Sequence, residues 1–141
     1  MKLANYIKPK PLFFNFIPHL GKYTANSLYP FILIPKAIYD DLKTENPNPN
    51  SVALLIHEET HRKRQKELGW LIFAIKYMFN PVFRFNEEIL AIKEAMRYLK
   101  KYNMPFDLDR KAKTLSSWLY LWPVSRDFAK KELEKIWNET Q

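Results

Sequence analysis

The segment NPNSVALLIHEETHRKRQKELG, residues 48–69, decides the fold of this chain. Asn48 is a favoured N-cap residue, Pro49 suits the first helical position, and Gly69 suits the end of a helix. The residues between these signals therefore predict one long helix. His57-Glu58-Glu59-Thr60-His61, an HExxH sequence, lies inside it. Side chains four residues apart lie on one face of a helix, so the two imidazoles can bind a single ion.

Four more helices are predicted after this segment. Asn80-Pro81 repeats the asparagine-proline start, Pro123 ends a helix, and Ser125 is an N-cap residue. The apolar run Leu68–Phe79 has about 12 residues and includes Lys76, whereas a membrane span needs about 20. We therefore expect a buried helix there and no transmembrane segment. The four predicted helices cover 70–79, 81–102, 109–121 and 125–137.

The N-terminal third of the chain has a different character, because it is rich in proline and β-forming residues. Two strands are predicted there, over 12–17 and 28–34, and the neighbouring prolines confine them to sheet edges or short segments. We therefore expect an α+β fold with a small sheet on a mainly helical body, in one domain. Within 1–141 the expected parts are a strand-rich part over 1–45, the helices around HExxH over 48–122, and a C-terminal helix over 124–141.

Composition excludes several classes of protein. The 141 residues fit one domain, and the lack of cysteine excludes disulfide scaffolds and thiol catalysis. The two glycines have no partner at phosphate-loop spacing, so no nucleotide is expected to bind. The net charge is +8, but lysines and arginines alternate with glutamates along the helices, which is typical of solvated faces and argues against a nucleic-acid surface. Without a signal peptide or membrane span, a cytoplasmic location is expected.

The HExxH sequence indicates a zinc site. Imidazole is a preferred zinc ligand, and three protein ligands leave one position open for water, on which Glu58 can act as a general base. The third ligand is not a histidine. Arg64 and Glu67 stand where the longer HExxHxxGxxH motif has glycine and histidine, and no histidine follows His61. A glutamate from the predicted helix 81–102 remains.

Three glutamates of that helix are candidates for the third ligand. Glu88 shares its face with Ala91 and Ala95, and these small residues let the helix approach the HExxH helix closely. Glu87 points about 100° away from that face. Glu88 is therefore preferred over Glu87, and Glu94 is the third choice.

The chain resembles the gluzincin zinc metallopeptidases, and most of all the short single-domain minigluzincins. The likeness rests on HEETHRKRQKELG at 57–69 and on EILAIKEAMRYLKK at 88–101. It covers about residues 28–121.

This resemblance implies roles for individual residues. It implies that Glu58 is the base and proton shuttle and that strand 28–34 pairs with an extended substrate. Ile92 stands where larger gluzincins often have an aspartate that orients a histidine, so that role has no candidate here. The side chains that bind Zn²⁺ by this resemblance are His57, His61 and Glu88.

Three functions are compatible with the sequence. The leading hypothesis is a zinc-dependent metalloendopeptidase that hydrolyses peptide bonds in a peptide or protein substrate. The resemblance adds that such a peptidase can be latent. The C-terminal helix 125–137 has two possible positions: in the cleft, which would make the protein a zymogen, or on the back of the helical body. The alternatives are a catalytically silent zincin-fold domain that binds or regulates a partner, and a basic nucleic-acid-associated protein.

Other side chains have less specific signals. His19 is a candidate for an additional metal ligand, although a histidine in a turn beside proline is more often structural. Nothing in the sequence ranks the candidates for an oxyanion stabiliser, which are Tyr77, Arg84, Tyr98 and Tyr120. A further group could line a substrate pocket but has the helical spacing of a core: Trp118, Tyr120 and Trp122.

Overall fold

Three short strands precede six helices in the part of the chain that the computed structural model describes, residues 2–12, 24–117, 121 and 123–140. The strands are β1 (Ile7–Pro9), β2 (Asn26–Leu28) and β3 (Phe31–Ile34). The helices are α1 (Lys36–Leu42), α2 (Pro49–Leu68), α3 (Trp70–Phe79), α4 (Pro81–Lys101), α5 (Leu108–Leu115) and α6 (Arg126–Glu139). The predicted α+β class is confirmed.

The three strands form one sheet in the order β1–β3–β2. β3 pairs in parallel with β1, where Ile7 lies opposite Ile32, and it pairs antiparallel with β2. Ile32 and Ile34 are two residues apart and so point to the same face. Both are fully buried in a cluster with Ile7, Leu42 and Leu55. This cluster attaches the sheet to α1 and α2.

The strand bounds differ from the predicted ones. Segment 28–34 holds the end of β2, a turn at Tyr29 and Pro30, and all of β3, which is the central strand and not an edge. Pro30 lies in the turn and Pro35 follows β3, so neither proline removes a hydrogen-bond donor from that strand. Of the predicted strand 12–17 only Leu12 lies in the described residues, and it is not in a strand.

The bounds of α2, α3 and α4 follow the signals in the sequence. The Asn48 side chain accepts a hydrogen bond from the backbone N–H of Asn50 at 2.9 Å, and the Asn80 side chain accepts one from Phe83 at 2.9 Å. Gly69, with φ 83°, ends α2 and separates it from α3. These three predicted helices are therefore confirmed.

The structure also corrects two expectations about helices α1 and α3. α1 lies inside the part predicted to be strand-rich; its Ile38 and Leu42 are four residues apart and both contact the sheet cluster. α3 was expected to be buried, but Phe73 is its only buried residue. No helix in the described ranges combines the length and apolar character needed to cross a membrane.

Helix α5 is shorter than the predicted 109–121, because it ends at Leu115. The hydroxyl groups of Ser116 and Ser117 donate hydrogen bonds to backbone carbonyls three residues earlier, at 3.2 Å and 2.6 Å. Such local bonds compete with continued helix formation. Three of the residues that were candidates for a substrate pocket or an oxyanion stabiliser lie outside the described part of the chain: Trp118, Tyr120 and Trp122.

Helix α6 is part of the hydrophobic core. Its Ala129 and Leu133 are fully buried, and with Ile136 they pack in one cluster with Met96 of α4 and Leu115 of α5. The Lys100 ammonium group also donates to backbone carbonyls at the end of the helix. The C-terminal helix therefore packs on the helical body, which is the second of its two predicted arrangements.

Candidate metal centre

Two helices bring three potential metal ligands together inside the protein. α2 carries His57 and His61 one turn apart, and α4 carries Glu88. The Nε2 atoms of the two histidines are 3.2 Å apart. The Glu88 carboxylate lies 3.1 Å from His61 Nε2 through Oε1 and 3.4 Å from His57 Nε2 through Oε2. All three side chains are buried. These three potential ligands are termed the metal cluster here, although the name refers to side chains and not to bound ions.

These distances match the spacing of ligands around one zinc ion. Ligand atoms held about 2.0–2.1 Å from a tetrahedral zinc lie about 3.3 Å from one another. The two imidazole Nε2 atoms are 3.2 Å apart, and each lies near that distance from a different oxygen of Glu88: His61 is 3.1 Å from Oε1 and His57 is 3.4 Å from Oε2. Two imidazole nitrogens and one carboxylate oxygen are also a donor set that zinc prefers. The three residues therefore offer a donor set that fits a zinc ion, with one atom from each within 4.8 Å of the others.

Small residues allow α2 and α4 to approach closely at this point. Ala53 of α2 packs against Ala95 and Leu99 of α4 in one buried cluster. Ala91, three residues after Glu88, is fully buried. The sequence argument for Glu88, which rested on these alanines, agrees with the observed packing.

The neighbouring glutamates have other partners. Arg64 binds both carboxylate oxygens of the buried Glu87, with contacts between 2.9 and 3.3 Å. Glu94 is half-buried and accepts a hydrogen bond of 2.6 Å from Arg97. The structure thus places Glu88 alone among the three candidates beside the histidines. The Glu87–Arg64 pair links α4 to α2 from an adjacent face.

Burial and charge give the three side chains different protonation behaviour. Burial lowers the pKa of His57 to about 4, so this imidazole is neutral at pH 7. Burial also lowers the pKa of His61, but the adjacent Glu88 carboxylate outweighs burial and leaves that pKa above its usual value. Burial raises the pKa of Glu88, but the two imidazoles outweigh it and hold that pKa well below the usual range. Glu88 is therefore an anion, as a metal ligand must be.

Glu58 lies beside the cluster but does not join it. Its buried carboxyl lines a cavity of about 380 Å³ together with His57. Burial raises the pKa of Glu58 to about 7, although the positive charges of Lys111 and Lys10 act in the opposite direction. A carboxyl group with a pKa near 7 can both accept and release a proton at neutral pH, as a general acid–base catalyst must.

The cavity is formed between α2, α4 and α5. Its apolar wall includes Ile92 and Phe106, and its polar wall includes Arg110 and Lys111 of α5. No residue of α6 is among the described residues that line it. Of the two C-terminal helices, α5 borders the cavity and α6 packs against α5 through Leu133.

Helix α3 covers the opposite side of the metal cluster. The Tyr77 hydroxyl donates a hydrogen bond of 2.5 Å to Glu88 Oε1. The rings of Tyr77 and Phe73 lie 6.2 and 6.4 Å from the His61 ring, and they stack on each other at 5.6 Å. Tyr77 therefore orients a candidate ligand, which differs from the oxyanion role considered for it. No sequence signal joins Tyr77 to Glu88, because the contact depends on the angle between two helices.

The other candidates considered for the site lie elsewhere. The buried Arg84 guanidinium donates to the backbone carbonyls of Tyr77 and Met78, where it caps α3. Tyr98 packs against the alanine cluster between α2 and α4 and is not among the residues that line the cavity. Tyr120 and His19 lie outside the described residues.

One polar residue of α2 joins this helix to the sheet. The buried Gln65 accepts a hydrogen bond from the backbone N–H of Tyr29 at 2.8 Å and donates one to the carbonyl of Ser27 at 2.9 Å. These bonds hold the β2–β3 hairpin one turn after His61. The resemblance implied that segment 28–34 pairs with an extended substrate. β3 cannot do so, because β1 and β2 already pair with its two edges.

The chain was compared with protein-family models, with curated proteins and with solved structures, and none of the three comparisons found a match. The function is therefore inferred from the side chains themselves.

Proposed function

We propose that the protein is a zinc-dependent peptidase. The observation that carries the proposal is the buried group of His57, His61 and Glu88, in which the two imidazole nitrogens are 3.2 Å apart and each lies 3.1 to 3.4 Å from a carboxylate oxygen. Zinc bound by two imidazoles and one carboxylate supplies Lewis-acid polarisation of a substrate carbonyl. The cavity next to His57 gives a substrate access to this side of the cluster.

Glu58 carries the proton transfers in this proposal. Its carboxylate at the cavity wall takes a proton from the attacking water and delivers it to the nitrogen of the leaving amine. The pKa of about 7 suits both steps, because the group is neither firmly protonated nor firmly ionised at neutral pH.

The test compares two adjacent glutamates on α2. Glu58→Gln should keep its bound zinc and lower kcat on unfolded casein by about 10²–10⁴-fold, since general acid–base catalysis is of that size. Glu59→Gln is the matched control. Glu59 accepts a hydrogen bond from Tyr6 at 2.6 Å and pairs with Arg62, so its substitution should leave both zinc content and kcat almost unchanged.

Two outcomes would overturn the proposal. Purified protein that takes up no zinc at one equivalent would remove the cofactor. Protein that binds zinc but cleaves neither casein nor short peptides would favour the silent binding or regulatory domain. The nucleic-acid alternative would require a steep, salt-dependent affinity for DNA, of the form that counterion release produces.

A further inference from the structure

Helix α3 presents a continuous apolar surface to solvent. Its buried side is small, consisting of Phe73 and the half-buried Tyr77 over the metal cluster. The exposed surface, termed the α3 ridge here, consists of Trp70 (58% exposed), Leu71 (55%), Ile72 (55%), Ile75 (52%), Met78 (59%), Phe79 (76%) and, at the start of α4, Val82 (67%).

The α3 ridge is larger than the apolar patches of ordinary monomers. At about 100 Å² for each half-exposed large side chain, seven residues expose on the order of 700 Å². The largest apolar patch on a typical monomer is about 300–600 Å². A surface of this size that serves neither the core nor the metal cluster indicates a binding partner.

The charged residues within the ridge segment are positive. No aspartate or glutamate occurs between Glu67 and Glu87, a stretch that contains the whole of α3. Lys76 is exposed within α3, whereas the exposed Lys66 and Glu67, just before α3, balance each other in charge. The chain as a whole carries +8. The partner should therefore combine an apolar interior with negative charge at its surface.

We propose that the α3 ridge binds the surface of a membrane that contains anionic lipid. The ridge lies on one short helix that packs against α2 and α4, and a fluid bilayer can cover such a surface without the matching groove that a protein partner must supply. Ten residues of helix are about 15 Å long, half the hydrocarbon thickness, so α3 lies in the interface and does not span it. Trp70 and Phe79 then lie among the acyl chains and Lys76 among the phosphates.

This inference does not depend on zinc binding or on catalysis. It concerns the outer side of α3, whereas Phe73 and Tyr77 on the inner side contact the metal cluster. Loss of peptidase activity would leave the membrane proposal intact, and loss of membrane binding would leave the peptidase proposal intact.

The experiment is co-sedimentation of the full-length protein with vesicles. Vesicles of phosphatidylglycerol and phosphatidylcholine in about equal parts should bind the protein, and vesicles of phosphatidylcholine alone should bind it much more weakly. Ile75→Ser should weaken binding to the anionic vesicles about ten-fold, because a half-exposed aliphatic side chain no longer enters the bilayer. Lys76→Gln should weaken it about five-fold, an effect that disappears at high salt.

Tyr102→Ser is the matched control. Tyr102 has the same exposed fraction as Ile75, 52%, but lies at the far end of α4, about 30 Å from Val82. Its substitution should not change vesicle binding, and unchanged circular dichroism should show that both variants fold.

Three results would overturn the proposal. One is the absence of any binding to anionic vesicles. Another is an equal loss of binding in Ile75→Ser and Tyr102→Ser. The third is a concentration-dependent dimer that Ile75→Ser abolishes, in protein that does not bind vesicles, which would assign the ridge to a second copy of the chain.

Discussion

Replacing Glu88 and Glu87 one at a time by glutamine should separate metal binding from support of the fold. The two carboxylates are neighbours on α4 and are equally buried, with 3% side-chain exposure each. Glu88 lies beside His57 and His61, whereas Glu87 is held by Arg64. Glutamine keeps the side-chain volume and removes the negative charge, so each variant tests the charge alone.

The expected effect of Glu88→Gln is on zinc affinity. Structural zinc sites with four ligands bind with about 10–16 kcal/mol, or about 2.5–4 kcal/mol for each ligand. Losing one anionic ligand of this strength weakens zinc binding by about 100-fold to 1,000-fold. The Tyr77 hydroxyl can still donate to the amide oxygen, so the local packing should be kept.

The expected effect of Glu87→Gln is on stability. The charged hydrogen bonds to Arg64 contribute about 1.5–3 kcal/mol. Arg64 remains paired with Glu67 at 2.8 Å, and its side chain is 31% exposed, which places the loss near the lower end, at about 2 kcal/mol. Zinc affinity should stay within about three-fold of the wild-type value, since Glu87 is not beside the histidines.

Two measurements distinguish these effects. Competition with a chromophoric chelator gives the zinc Kd, and urea unfolding with and without zinc gives the linked stability. Free zinc is set at 100 times the wild-type Kd for all three proteins. At this concentration zinc should raise the free energy of unfolding of the wild type and of Glu87→Gln by about 2.7 kcal/mol. It should raise that of Glu88→Gln by almost nothing. If Glu87→Gln lost zinc while Glu88→Gln kept it, the assignment of the third ligand would be refuted.

Three further predictions concern the surroundings of the site. Tyr77→Phe removes the donor to Glu88 Oε1 but keeps the stacked ring, so the zinc Kd from chelator competition should rise about ten-fold without loss of fold. Leu133→Ala should lower the free energy of unfolding in urea by about 3 kcal/mol and leave zinc stoichiometry unchanged, because the side chain is fully buried away from the cluster. Truncation after Trp122 removes all of α6 and should give protein without cooperative unfolding; a folded, more active product would instead revive the zymogen hypothesis.

The helices could be predicted because their signals are local. Asn48 and Asn80 cap the helices that follow them, and Gly69 takes the positive φ that separates α2 from α3. The sheet was harder to predict from the sequence. Segment 28–34 is apolar throughout, and its division into two strands by a turn at Pro30 depends on pairing with β1, which lies more than 20 residues away.

The candidate metal site was predictable to the extent that helix geometry determines it. The spacing of His57 and His61 places both on one face of α2, and the alanines after Glu88 indicate the close face of α4. The supporting contacts were not predictable. Arg64 and Glu87 are 23 residues apart, and Tyr77 and Glu88 are 11 apart on different helices, so these pairs are set by how the helices cross.

Helix α3 shows why an apolar sequence does not determine burial. Its residues predict a buried helix, since an isolated helix that is apolar on all sides normally has neighbours on all sides. In the structure, Phe73 and Tyr77 occupy the side that covers His61, while Ile75 and Phe79 face solvent. An all-apolar composition is consistent with two separate demands, an apolar cover for the buried His57, His61 and Glu88 side chains on one side and an apolar ridge on the other. Substitutions on the two sides should therefore have separable effects on zinc affinity and on vesicle binding.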